Sequence, residues 1–245
     1  MPESVHPHPT KALLYLSLID GGGWDADGKG GIATLNTDGT HYDANWVTGL
    51  DAPKGLGIYN NRIYVADINK VVIADLQKGG VIKKITIPGA SGLNDITVNP
   101  ANGDVYVSDS RTGKVHLINA KDEYSLYMDS LPGVNGLKYS SKGLYILAKK
   151  QVLLADANKK LTTITDLPNG GDGVEEVGNG DLIVSEWIGN VFYVYANGEK
   201  EQLLDRKAEH KNTADIWYVQ STQTLYVPGF NGKTVAAYQL TAKKN

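Results

Sequence analysis

Six positions along the 245-residue chain recur in one local setting. They are Glu3, Lys54, Asn94, Asn135, Asp172 and Ala214, separated by 51, 40, 41, 37 and 42 residues. Each opens a short apolar stretch: Glu3-Ser4-Val5, Lys54-Gly55-Leu56, Asn94-Asp95-Ile96, Asn135-Gly136-Leu137, Asp172-Gly173-Val174 and Ala214-Asp215-Ile216. Five of the six are polar, and Asp215 adjoins the exception. Two carboxylates and two amide oxygens in one ring make a hard, all-oxygen donor set, which suits calcium, magnesium or manganese better than zinc or copper. Polar side chains that simply face water in a channel mouth are the other account of the pattern. Lys54 can offset negative charge on a reacting ligand, hold a substrate carboxylate or hydroxyl, or act as a strut paired with Glu3 or Asp172.

The elements that bring these positions together follow from a second repeat. Leu14-Tyr15-Leu16-Ser17, Ile63-Tyr64-Val65-Ala66-Asp67, Val105-Tyr106-Val107-Ser108-Asp109, Leu144-Tyr145-Ile146-Leu147, Leu182-Ile183-Val184-Ser185-Glu186 and Leu225-Tyr226-Val227-Pro228 recur with spacings of 49, 42, 39, 38 and 43. A period near forty with short strands and turn signals is that of four-stranded propeller blades. In the second copy the strands fall near residues 55–59, 62–66, 71–75 and 82–87, separated by Asn60-Asn61, Ile68-Asn69-Lys70 and Lys78-Gly79-Gly80. No segment carries a helical apolar period over ten residues. The fold class is therefore all-β: a single six-bladed β-propeller over residues 1–245, with the six positions converging at one mouth of its central channel. A sandwich or barrel does not account for the period.

The last copy supplies strands near 214–219, 224–227 and 235–240, after which the chain nearly ends. Its blade has three strands, or residues upstream of Met1 complete it. The expectation favours an upstream segment, such as one that followed a signal peptide. That would place the protein in the periplasm or outside the cell, and otherwise in the cytoplasm.

Composition agrees with a packed β domain. Gly is 28 of 245 residues, about 11% against a usual ~7%. The glycines after ring residues, Gly55, Gly136 and Gly173, are read as leaving the channel centre open. The longest apolar stretch, residues 12–19, is far below the ~20 residues of a membrane helix. Net charge is −3 and well mixed, the only local excess being Lys243-Lys244, so neither nucleic acid nor a membrane is an expected partner. Zero Cys excludes disulfide, thiolate-zinc and thiol chemistry.

Pro2-Glu3-Ser4-Val5, Asn94-Asp95, Asn135-Gly136-Leu137 and Asp172-Gly173-Val174 resemble the successive metal motifs of the regucalcin/gluconolactonase family. The closest match is Asn94-Asp95-Ile96-Thr97-Val98-Asn99-Pro100-Ala101-Asn102-Gly103-Asp104-Val105-Tyr106-Val107. The resemblance spans essentially the whole chain and lies in the order and spacing of its motifs. It implies one divalent cation held by Glu3, Asn135 and Asp172, with calcium first and magnesium, manganese or zinc as alternatives. It also implies Asn94 beside the cation holding substrate or water, and Asp172 doubling as general base. The chain departs from the family in Ser4-Val5, where Gly-Pro is usual, and in Val134, where Pro is usual. Lys54 has no counterpart in the family pattern.

The implied activity is hydrolysis of a sugar-acid-like lactone or cyclic ester. Two alternatives are a non-catalytic propeller that binds a metal or carbohydrate, and a lyase or condensing enzyme of the wider propeller group. Loops 20–30, 67–70, 109–113, 148–150, 186–190 and 229–233 should crown the ring's mouth. Within them Trp24 and Trp187 can wall a sugar-like ring, and Arg111 and Glu186 can orient polar substituents. Gly23-Trp24-Asp25-Ala26-Asp27-Gly28-Lys29 starts like a phosphate loop but continues with Gly30 and opens no helix. Asp25 and Asp27 could hold a surface calcium but lack EF-hand spacing and its terminal Glu, and His6 and His8, alternating with prolines, read as a loop ahead of a weak terminal metal site. Neither Gly-x-Ser-x-Gly nor His-Glu-x-x-His occurs.

Overall fold

The computed structural model describes residues 1–241; the Lys243-Lys244 charge excess lies outside the described residues. Among them the chain forms six antiparallel sheets, each a meander of consecutive strands, five with four strands and the last with three. This is a six-bladed propeller. The second blade has strands Pro53–Tyr59, Arg62–Asp67, Lys70–Asp75 and Val81–Thr86, close to the boundaries expected from its turn signals. The sixth has Trp217–Val219, Thr224–Gly229 and Thr234–Gln239. Helical structure among the described residues consists of two single 3-10 turns, Lys207–Glu209 and Phe230–Gly232.

Burial follows position in the blade. The second and third strands of the second blade are buried at nearly every residue, whereas its outermost strand, Val81–Thr86, is mostly exposed. Strands covered on both faces need apolar side chains in both directions, hence near-continuous Val, Ile and Leu rather than strict alternation. Six apolar clusters fill the six interfaces between neighbouring blades. Each takes one residue from the same place on an inner strand: Val5, Leu56, Ile96, Leu137, Val174 or Ile216.

The ring closes between the sixth and first blades. Asp215 N–H donates to the Glu3 carbonyl, Ser4 and Asp215 pair in parallel, and the Ser4 hydroxyl donates to the Asp215 carboxylate. Tyr226 joins Val5, Leu14, Leu16 and Ala33 in the apolar cluster beneath.

Candidate functional site at one mouth of the channel

The innermost strands are Pro2–Pro7, Pro53–Tyr59, Leu93–Val98, Val134–Ser140 and Gly171–Glu176, with residues 214–216 leading into the sixth. Glu3, Lys54, Asn94, Asn135 and Asp172 each stand second in their strand. The pairing register slips just there, between Pro2 and Val5, Pro53 and Leu56, Val134 and Leu137, and Gly171 and Val174. Such bulges re-aim side chains at a sheet margin. The backbone N–H groups freed by the slip find buried hydroxyls on the second strand. Ser17 accepts from Ser4, Ser108 from Asp95 and Ser185 from Gly173.

Five of the six ring positions line one cavity of about 560 Å³. Its floor is Glu3, Lys54, Asn94, Asn135 and Asp172, and the sixth position is the buried Ala214. The polar atoms of this floor are unevenly satisfied. Asn135 Nδ2 donates to Asp172 Oδ1, which orients the Asn135 amide oxygen away from that contact. Asn94 Nδ2 donates to Ser110 Oγ at 3.0 Å, and that hydroxyl donates to the Val134 carbonyl at 2.7 Å. Glu3 Oε2 and Asp172 Oδ2 are buried and have no hydrogen-bond partner. A carboxylate oxygen left in that condition normally costs 1–3 kcal/mol or more.

The charges agree with the geometry. Burial pushes the Asp172 carboxyl up to about 7, against the opposing Asn135 hydrogen bond and Lys54 charge. Burial, then the Asp172 charge, raises Glu3 well above the usual carboxylate range, with Lys54 opposing. Burial lowers the Lys54 ammonium, although Glu3, Asp67 and Asp172 pull it back up. Lys54 donates to the Gly23 and Ala52 carbonyls rather than to either ring carboxylate, and its nitrogen lies 4.0 Å from the centre of the Trp24 ring. It thus fastens the 20–30 loop over the floor.

The orphaned oxygens fit a hard cation: two carboxylate oxygens with an adjacent amide oxygen would be satisfied by one divalent ion. The set is lean in charge, since among the described residues no three His, Cys, Asp or Glu side chains come together in a metal-holding group.

Trp24 and Trp187 line the same cavity, and Trp187 lies 4.8 Å from Phe230, ring centre to ring centre. Ile19, Phe230 and Asn231 also stand in the wall, beside Met1, Gly21 and Gly23; the sequence placed the 229–233 loop at the mouth but assigned no contact to Phe230, Asn231 or Ile19. They sit where loops meet the mouth, and loop side chains carry no periodic signal. Arg111 is not in the lining. Its guanidinium covers Trp24 at 4.6 Å from the ring centre, so it backs the wall instead of facing the cavity. Glu186 is fully buried and accepts from Asn169 N, Asn169 Nδ2 and Asn190 Nδ2, which makes it a loop anchor with no exposed oxygen to offer a substituent.

The three glycines next to the ring have a different reason from the one expected. A Cβ on Gly136 would stand 2.3 Å from the Asp172 carbonyl oxygen, and one on Gly173 2.6 Å from the Ile216 nitrogen. On Gly55 it would meet the Ile96 nitrogen at 2.5 Å. Glycine there lets the next blade's inner strand approach; it does not clear the channel. The motifs set aside in the sequence are also accounted for. Asp25 accepts from Gly22 N, and Asp27 pairs with Lys29 at 3.0 Å. His6 lies in the Pro2–Pro7 strand rather than in a loop, its ring tilted against Trp217 with centres 3.8 Å apart, while His8 Nδ1 accepts from Thr10 and Lys11 N–H.

No protein-family model matches the chain, and no curated protein matches it. Solved structures share the fold. A gluconolactonase-like structural-genomics protein superposes with a TM-score of 0.70 at 13% identity, over 96% of this chain and 87% of the other. Luciferin-regenerating enzyme gives 0.68 at 14% identity, over 92% and 82%. Virginiamycin B lyase from Staphylococcus aureus, an inactive H270A form with quinupristin, gives 0.69 at 12%, over 98% and 95%. In its fold the chain matches the regucalcin/gluconolactonase-like propellers that its ring motifs resemble.

Proposed function

We propose that the chain is a divalent-cation-dependent hydrolase of lactones or related cyclic esters, calcium being the first candidate. The observation that carries this reading is the pair of orphaned oxygens, Glu3 Oε2 and Asp172 Oδ2, buried on the floor of a cavity beside the Asn135 amide. Glu3, Asn135 and Asp172 would hold the cation, which when bound supplies Lewis-acid polarisation of the ester carbonyl. Asp172 takes a proton from the attacking water as its oxygen bonds to the acyl carbon. The ring C–O bond then breaks and the proton passes to the departing oxygen. Asn135 fixes Asp172 by its hydrogen bond, so that Oδ2 is the free oxygen. Asn94, held by Ser110, keeps its amide oxygen for the substrate or water.

The test is lactone turnover with calcium or manganese, before and after chelation, in the native chain and in Asp172→Ala. The expected result is metal-dependent turnover that both treatments abolish. Unchanged activity and unchanged cation affinity in Asp172→Ala and Asn135→Ala would overturn the ring assignment. The second reading, a propeller that binds a cation or carbohydrate without turnover, is favoured by the lean donor set of two carboxylates. Cation binding without hydrolysis of any lactone would select it.

A further inference from the structure

The cavity's floor and wall have opposite chemistry. The floor is ionic and amide. The wall's side chains are those of Met1, Ile19, Trp24, Trp187 and Phe230, with Asn231 its one amide, and Gly21 and Gly23 add backbone only. Trp187 remains 38% exposed at the mouth, and the neighbouring Ile188 40%, so apolar surface continues outward from the wall. The Trp187–Phe230 pair comes from two different blade loops and presents an apolar corner. Trp24 is held in place by two cations, Lys54 and Arg111, and cannot easily swing out to admit polar groups.

A polyhydroxylated ring needs hydrogen-bond donors and acceptors around its whole edge. This wall's side chains offer two indole N–H donors and one amide, while the Ile19 and Gly23 carbonyls already accept from the Met1 and Lys54 ammonium groups. Hydroxyl groups pressed against Ile19, Phe230 and the indole faces would lose water without replacement. An ester whose carbonyl meets the floor and whose remaining body is aromatic or alkyl leaves nothing unpaired and buries its apolar area.

Resting on the reading of the floor as an ester-hydrolysing site, we infer that the substrate is a lactone with an apolar, ring-bearing or alkyl body, not a sugar-acid lactone. The wall selects the body and the floor the carbonyl. Trp187 and Phe230 are then specificity residues that touch the part of the substrate remote from the reacting bond.

The experiment uses the full chain with calcium and compares dihydrocoumarin with D-glucono-δ-lactone. The expected kcat/KM favours dihydrocoumarin by at least about 100-fold. Trp187→Ala should raise KM for dihydrocoumarin about tenfold. In parallel, 2-tetralone, which has the same shape and carbonyl but no ester to cleave, is titrated calorimetrically. It should bind, about tenfold more weakly to Trp187→Ala and to Phe230→Ala. Preference for gluconolactone, or 2-tetralone binding that is absent or indifferent to both substitutions, overturns the inference. If no lactone is turned over, the hydrolase reading fails, and 2-tetralone still decides whether the wall takes an apolar ring.

Discussion

The two mouths of one channel are lined by the same six strands and treat charge in opposite ways. At the first mouth Glu3 and Asp172 each keep a buried oxygen without a partner. At the second, three residues further along each strand, a cavity of about 440 Å³ is lined by His6, Gly57, Thr97, Lys138, Glu175 and Trp217. There the polar groups are engaged. Lys138 Nζ donates to both Glu175 oxygens at 2.8 and 2.6 Å and lies 4.2 Å from the Trp217 ring centre. His6 Nδ1 donates to the Pro7 carbonyl, and Thr97 Oγ1 accepts from Tyr139 N–H. Identical scaffolding thus carries an unsatisfied ring at one end and a satisfied one at the other. Strand geometry does not require orphaned oxygens, which is why those at the first mouth point to a ligand.

The largest effect should come from breaking the satisfied end. Lys138→Met leaves Glu175, already raised by burial despite its partner, as a lone buried charge. Denaturant unfolding should show a loss of about 3–5 kcal/mol, and the pair Lys138→Met with Glu175→Leu should restore most of it. A single substitution costing under about 1 kcal/mol would erase the contrast between the mouths. At the other end the order reverses. Asp172→Asn should lower calcium affinity at least about 100-fold, some 2.7 kcal/mol, yet leave cation-free stability equal or higher. Calorimetric titration and a chelated melt measure the two halves, and a large loss of cation-free stability would make Asp172 a structural group.

A graded effect, about 1.4 kcal/mol at most for each pH unit, separates the mouths by pH. Burial lowers His6 from 6.5 to about 3. The unfolded chain therefore binds a proton that the folded chain refuses across that interval. Stability from this group is complete above pH 6.5 and falls as pH drops toward 3, by up to about 1.4 kcal/mol per unit. His6→Phe should flatten that acid limb, and an unchanged slope would place the acid sensitivity elsewhere. The smallest effect is expected between the mouths. Ser185→Ala takes the acceptor from the Gly173 N–H and the hydroxyl donor from the Ala214 carbonyl, costing about 1–2 kcal/mol in a thermal melt. No measurable change there would mean that water replaces the hydroxyl.

The first mouth was legible in the sequence and the second was not, for a physical reason. The forty-residue period aligns both sets, but five polar residues of six mark the first, whereas the second mixes His6, Thr97, Lys138 and Glu175 with Gly57 and Trp217 and signals no single chemistry. The second ring is displaced by three residues, because each bulge spends two consecutive residues before alternation resumes. Asp95 and Asp215 follow ring positions yet reach the second cavity. A plain period of two misses this. Side chains that answer to a neighbouring blade were equally hidden. Arg111 reads in the sequence as a mouth residue for polar substituents, and only Trp24, nearly ninety positions away, shows what it covers. The strands themselves needed no such partner, since turn residues and apolar stretches mark them locally.

The closing contact of the ring has a mechanical consequence. Five of the six blade interfaces join segments that follow one another along the chain, whereas the sixth is bridged through Ser4 and Asp215, 211 positions apart. Glu3 sits on that bridge, while Asn135 and Asp172 belong to the fourth and fifth blades. A cation shared by these three would act as a clasp across the seam. Filling the mouth and locking the toroid against breathing would then be one thermodynamic event, and hydrogen exchange along strand Pro2–Pro7 would register ligand occupancy as directly as any assay at the mouth.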